Sequence, residues 1–153
     1  MKSRTAIPDP VQYLKDDHAR IATLISEVEK TREGDIERRR ECFEKLREAL
    51  VAHANAEEYA LYPALAEKKE TAELAAEAVE EHRLVSELLE QLGGMLLDTK
   101  EWSYKFKVLA GSVANHVEEE ENEIFPKFEE LLAPAEVDAV AEHMEKLMST
   151  TEA

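Results

Sequence analysis

The stretch HANAEEYALYP, residues 53–63, sets a histidine and a glutamate four apart in an alanine-rich run, with a proline ten positions after the histidine. The chain repeats the arrangement in HVEEEENEIFP, residues 116–126, where His116, Glu120 and Pro126 stand at the offsets of His53, Glu57 and Pro63. Residues i and i+4 share a helix face, so each pair can present an imidazole and a carboxylate side by side. One copy is an ordinary piece of acidic helix. Two copies raise the question of a common centre.

The surroundings are helical. Ala, Leu, Glu and Lys dominate, and four Gly and five Pro leave few breaks. No segment alternates like a half-buried strand. Asp9 and Pro10 read as an N-cap and a first-turn proline opening a helix to about Thr31. Asp35 is the next N-cap candidate, for a helix to about Lys68. A third helix spans about Thr71 to Leu97, a fourth about Lys100 to Leu132, and a short fifth runs from Pro134 to about Met148. The expected fold is all-α, an up-down-up-down four-helix bundle with a short fifth C-terminal helix. One domain is expected over residues 1–153, with the bundle at about 9–132 and the last helix at about 134–148.

Each long helix carries a seam at three-four spacing. The seams read Val11, Leu14, His18, Ile21, Ile25, Val28; then Phe43, Leu46, Leu50, His53, Glu57, Ala60, Ala64; then Ala75, Ala78, His82, Val85, Leu89, Leu92, Leu96; then Phe106, Leu109, Val113, His116, Glu120. Only His18, His53, Glu57, His82, His116 and Glu120 are not apolar. A buried carboxylate is costly unless it is paired or metal-bound. With a rise of about 1.5 Å per residue, the six fall in one layer when the chain is folded at its turns. His18 and His82 are 64 residues apart and His53 and His116 are 63 apart, so the repeat extends to the preceding helix of each half. Two carboxylates on opposed helices can bridge two cations while imidazoles fill outer positions. Mixed imidazole and carboxylate donors suit iron, with manganese or zinc also possible.

Composition narrows the alternatives. A formal net charge of −16 argues against nucleic acid, which needs clustered Lys and Arg. The run Arg38 to Arg40 sits among glutamates and reads as a helix face with ion pairs. No run of eighteen apolar residues suggests a membrane span, and MKSRTAIPDP lacks the apolar core of a signal peptide. The single Cys42 excludes an internal disulfide. The expectation is a cytoplasmic protein, a monomer or weak homodimer, with no nucleic-acid or membrane partner.

The pattern H…HxxxE…H…HxxxE, with LYP and IFP after the two pairs, resembles the hemerythrin family, and within it the bacterial HHE cation-binding domains. The resemblance covers about Val11 to Leu132. It implies a non-haem di-iron centre, two iron ions with a bridging oxo or hydroxo group. His18, His53, His82 and His116 would be terminal imidazoles, and Glu57 and Glu120 bridging carboxylates. The implied partner is a small ligand: dioxygen, another diatomic such as nitric oxide, or peroxide. A peroxide-degrading, catalase-like activity is the enzymatic form. An iron or redox sensor, or an iron-holding protein without turnover, is the alternative. The chain departs from the oxygen carriers on the third helix, where HRLVS puts Ser86 rather than a second histidine four after His82. His143 could replace it only if the fifth helix folded over the bundle end.

Smaller expectations follow. Leu61 and Ile124 should be apolar walls. Tyr59 and Tyr62 fall opposite the ligand face of an ideal helix and read as packing or surface residues. Glu58 and Glu121 read as solvated surface, with acceptance from an imidazole N–H as the alternative, and Pro63 and Pro126 should kink or end their helices near the bundle end.

Overall fold

The computed structural model describes residues 7–152, with side chains described to residue 149. The N-terminal reading of residues 1–6 and the last residue of the expected domain lie outside the described residues. Seven α-helices follow in order: α1 Pro10–Glu29, α2 Ile36–Ala56, α3 Tyr62–Ala66, α4 Ala72–Gly93, α5 Lys100–Glu119, α6 Phe125–Leu131 and α7 Pro134–Glu152. Two π-helical turns, Glu57–Leu61 and Glu120–Ile124, join α2 to α3 and α5 to α6. Among the described residues there is no strand, and no helix is long and apolar enough to cross a membrane.

The helix starts follow from local chemistry. The Asp9 carboxylate accepts from the amides of Val11 (3.0 Å) and Gln12 (3.3 Å), capping α1 ahead of Pro10. Thr99 accepts from the Trp102 amide at 3.2 Å and caps α5. Asp35 stands at the N-cap of α2, but its carboxylate accepts from the Arg32 amide (3.1 Å) and ties the preceding turn instead. α4 ends at Gly93, which leaves Leu96 beyond the helix and 74% exposed rather than on the seam.

Each proline is preceded by a local widening of its helix, and the helical segment ends shortly after it, at Ala66 and at Leu131. Proline clashes with the carbonyl four residues back and offers no amide. Just before each one, the chain widens by a residue: the Tyr62 amide bonds to the Glu57 carbonyl, and the Phe125 amide to the Glu120 carbonyl. These i→i+5 bonds relieve the clash, and the helix resumes with proline in its first turn.

α1 packs along α2 and α4 along α5, while lighter contacts join α1 to α5 and α2 to α4. Two apolar clusters divide the interior. One gathers Val11, Leu14, Leu61, Leu65, Phe125 and Phe128 with Val140 and Met144 of α7. The other gathers Ile21, Phe43, Leu46, Leu92, Trp102, Phe106 and Leu109. Along α1, His18 falls between Leu14 of the first and Ile21 of the second, so the histidine layer is sealed on both sides.

The second cluster is closed by Arg39, which is only 4% exposed. Its guanidinium donates to the Thr31 carbonyl (2.9 Å), the Thr31 hydroxyl (2.9 Å) and the Leu97 carbonyl (2.8 Å), and lies 4.9 Å from the Trp102 ring centre. Replacing Arg39 with Met strands these buried carbonyls. The expected loss is about 2–3 kcal/mol of unfolding free energy in urea melts, with helix content retained at low denaturant.

Candidate metal centre

The helices bring all six seam residues to one place. His18 comes from α1, His53 from the last turn of α2, His82 from α4, His116 from the last turn of α5, and Glu57 and Glu120 open the two π turns. Glu57 and Glu120 are fully buried, and the four imidazoles nearly so.

Their inward atoms form two matching triangles. His18 Nε2, His53 Nε2 and Glu120 Oε1 are separated by 3.1, 3.0 and 3.9 Å. His82 Nε2, His116 Nε2 and Glu57 Oε1 are separated by 3.0, 3.1 and 3.8 Å. The links between triangles also match, with His53 Nε2 to Glu57 Oε1 and His116 Nε2 to Glu120 Oε1 both at 3.3 Å. The repeat seen in sequence thus reappears in space, with equivalent inward distances agreeing to about 0.1 Å.

Each outward nitrogen meets a carboxylate. His18 Nδ1 faces Glu121 (2.7 Å), His53 Nδ1 faces Asp17 (3.1 Å), His82 Nδ1 faces Glu58 (3.0 Å) and His116 Nδ1 faces Glu81 (2.8 Å). An Nδ1–H donated outward leaves the Nε2 lone pair aimed at the centre, the arrangement metal-binding imidazoles use. Glu58 and Glu121 thus take the alternative of accepting from an imidazole rather than standing free in solvent, although a third of each side chain stays exposed. Asp17 and Glu81 were not singled out from the sequence. Their signal is an acid immediately before His18 and before His82, repeated at the same 64-residue spacing.

Tyr62 overturns its reading as a surface or packing residue. It is 3% exposed, and its hydroxyl donates to Glu120 Oε2 at 2.7 Å. The same oxygen lies 3.2 Å from Glu57 Oε1 and 3.3 Å from both His82 Nε2 and His116 Nε2. On an ideal α-helix a residue five positions after Glu57 points about 140° away. The π turn spends one extra residue on the same advance and swings Tyr62 inward. Phe125 takes the corresponding place after Glu120 and stacks on His18, with ring centres 5.7 Å apart. Tyr59 is exposed, as expected. Ser86 and His143 are also exposed, and neither belongs to the cluster.

The donor set suits cations. Among the described residues, Glu57 Oε2 is the buried side-chain polar atom without a hydrogen-bond partner. Such an orphan carboxylate oxygen is expensive in an apolar interior. Two Nε2 atoms 3.0–3.1 Å apart can share at most one proton, so in each half at least one imidazole lone pair is directed inward. Two groups of potential ligands share this layer, His18, His53, Glu57 and Glu120, and Glu57, His82 and His116; a third, Glu81, His116 and Glu119, lies at its outer edge with Glu119 exposed.

Without cations, protons must balance the carboxylates. Burial alone lowers the His116 pKa, but hydrogen bonds and charge from Glu120 and Glu57 outweigh it and raise it to about 11. His53 is likewise raised against its own desolvation, by Glu57, Asp17 and Glu120. Burial pushes the Glu57 carboxyl up, yet His53 and further hydrogen bonds hold it well below the usual carboxylate range.

The sequence pattern of the hemerythrin HHE cation binding domain matches residues 9–128. A curated protein described as a DNA nickase, from Nostoc sp. (strain PCC 7120 / SAG 25.82 / UTEX 2576), is 31% identical over 115 residues. The match takes in 73% of this chain and 31% of that protein, so the chain spans about a third of that relative's length.

The raised histidines give the metal-free chain a pH signature. Their contribution to stability is complete below the ordinary histidine value of 6.5 and fades as pH rises through their raised values, about 11 for His116. The lowered Glu57 contributes above 4.5 and loses that contribution as pH falls through its depressed value. Urea midpoints of the metal-free protein should therefore decline from pH 6.5 toward the alkaline side. A flat profile over that range contradicts the assignment.

Proposed function

The chain belongs to the hemerythrin HHE cation-binding family, and on that premise we propose that it is a non-haem di-iron protein that takes a small ligand: dioxygen, peroxide or nitric oxide. In this reading the four long helices form an up-down-up-down bundle around the centre. His18 and His53 would hold one iron, His82 and His116 the other, and Glu57 and Glu120 would bridge. The observation that carries the reading is the unpartnered Glu57 Oε2 inside a layer of converging imidazole lone pairs. Bound iron would supply redox chemistry and an exchangeable position for the ligand.

The chain's own residues provide the rest. Asp17, Glu58, Glu81 and Glu121 orient the four rings and fix their tautomers. Ile21, Leu50, Val85, Val113 and Val117 line a cavity of about 40 Å³ against the four imidazoles. A mostly apolar space of that size favours a diatomic molecule over ordered water. A groove of about 700 Å³ between α1 and α5, floored by Ile21, Ala110, Ala114 and Val117, reaches His18 from the surface and offers a route inward.

One observation favours the sensor alternative. α7 packs directly on the π turn that carries Glu57, so a change at the centre could reach the outer face of the last helix. Nicking of DNA is said of the Nostoc protein as a whole, and nothing in this chain's acidic composition argues for carrying it over.

The test uses azide and nitric oxide on iron-loaded protein. Both should shift its absorption spectrum, and Val85→Phe, which fills the cavity, should weaken that response at least tenfold without changing iron content. A loaded centre whose spectrum ignores both ligands contradicts a ligand-binding role.

A further inference from the structure

The match between the two halves fails at one point. Tyr62 and Phe125 occupy equivalent places after the two π turns, but only Tyr62 carries an oxygen. That oxygen completes a figure with three atoms already described. Tyr62 Oη, His82 Nε2, His116 Nε2 and Glu57 Oε1 are separated by 3.0, 3.1, 3.2, 3.3, 3.3 and 3.8 Å. These are the six edges of a nearly regular tetrahedron. The centre of such a tetrahedron lies about 2.0 Å from each corner, the usual bond length from a small cation to nitrogen or oxygen.

The matching corner of the other half is bare. There Phe125 brings a ring that stacks on His18 and carries no oxygen, and Glu57 Oε2 is left without the partner that Glu120 Oε2 receives. One substitution therefore accounts for both the orphan oxygen and the asymmetry. α4 also offers no second imidazole, because an exposed serine, Ser86, stands four after His82. Tyr62 reaches the same pair of histidines from α3, with its ring centre 5.3 Å from that of His82.

We propose that Tyr62 is a further metal ligand: its phenolate oxygen completes the protein donors to the cation held by His82, His116 and Glu57, while Phe125 leaves the equivalent corner beside His18, His53 and Glu120 without a protein donor. The proposal rests on the two-cation reading. On loading, the phenol O–H bond breaks, an oxygen–metal bond forms, and the proton leaves to solvent, as metal binding to protonated ligands requires. The two irons are then chemically unlike, and an exogenous ligand competes with no protein donor on the His18 side.

The experiment compares wild-type protein with Tyr62→Phe, both loaded with ferrous iron and oxidised in air. Iron content, the visible spectrum, resonance Raman scattering and the protons released on loading are measured. Wild type should show a phenolate-to-iron charge-transfer band in the visible, with tyrosinate ring modes enhanced on excitation within it. It should also release one proton more per chain than the variant. Tyr62→Phe should lose band and modes together. Should the variant load poorly, the wild-type Raman spectrum decides alone. Loaded wild-type protein without tyrosinate modes, or a Tyr62→Phe protein that keeps them, overturns the proposal. A wild-type chain that takes up no iron overturns the two-cation reading beneath it, and the iron count tells these failures apart.

Discussion

The interior of this protein is organised by two carboxylates that water cannot reach. Glu57 and Glu120 are both fully buried, and a buried carboxylate is stable only beside compensating charge and hydrogen-bond donors. Four imidazoles surround them within 3.0–3.9 Å. The compensation is incomplete, since one oxygen of Glu57 has nothing to bond. Facing nitrogens hold fewer protons than they have positions. Apolar clusters on both sides remove the option of solvation. Cations relieve the whole set at once, which is why the same layer serves both the economy of the core and the chemistry proposed for it.

The π turns are the second element of the design. They arise from a local steric problem, a proline whose ring conflicts with the carbonyl four residues back. Their consequence is not local. Each turn re-aims the residue that follows it, bringing Tyr62 into the centre in one half and Phe125 against His18 in the other. π turns inside helices often accompany functional sites. Here the turn opens on the buried glutamate itself, so carboxylate and ring are set by one feature of the backbone.

Much of this was legible beforehand. The all-helical fold and the convergence of six side chains followed from the three-four seams and the spacing of the two HxxxE pairs. Those features depend on helix periodicity and on the rough position of the turns, and both tolerate errors of a few residues in helix ends. Tyr62 was not legible, because its direction was judged on an ideal α-helix and a single extra residue in a turn reverses it. Pro63 and Pro126 were the available clue: read as a kink or helix end, they also mark the widened turns. The outer acids were half visible. Asp17 and Glu81 repeat beside His18 and His82, but in a chain with 35 acidic residues such neighbours carry little weight until distances are known. Leu96 failed for the plainer reason that α4 ends before it, at Gly93.

The central claim is that the buried carboxylates exist to hold a pair of cations. It is tested most directly by counting metal in protein purified without chelators and again after anaerobic iron loading. The account predicts about two irons per chain after loading, falling to one or none when Glu57 and Glu120 are both replaced by Gln. A folded wild-type chain that takes up no iron, manganese or zinc contradicts it and leaves the six residues as a polar core with no metal to serve.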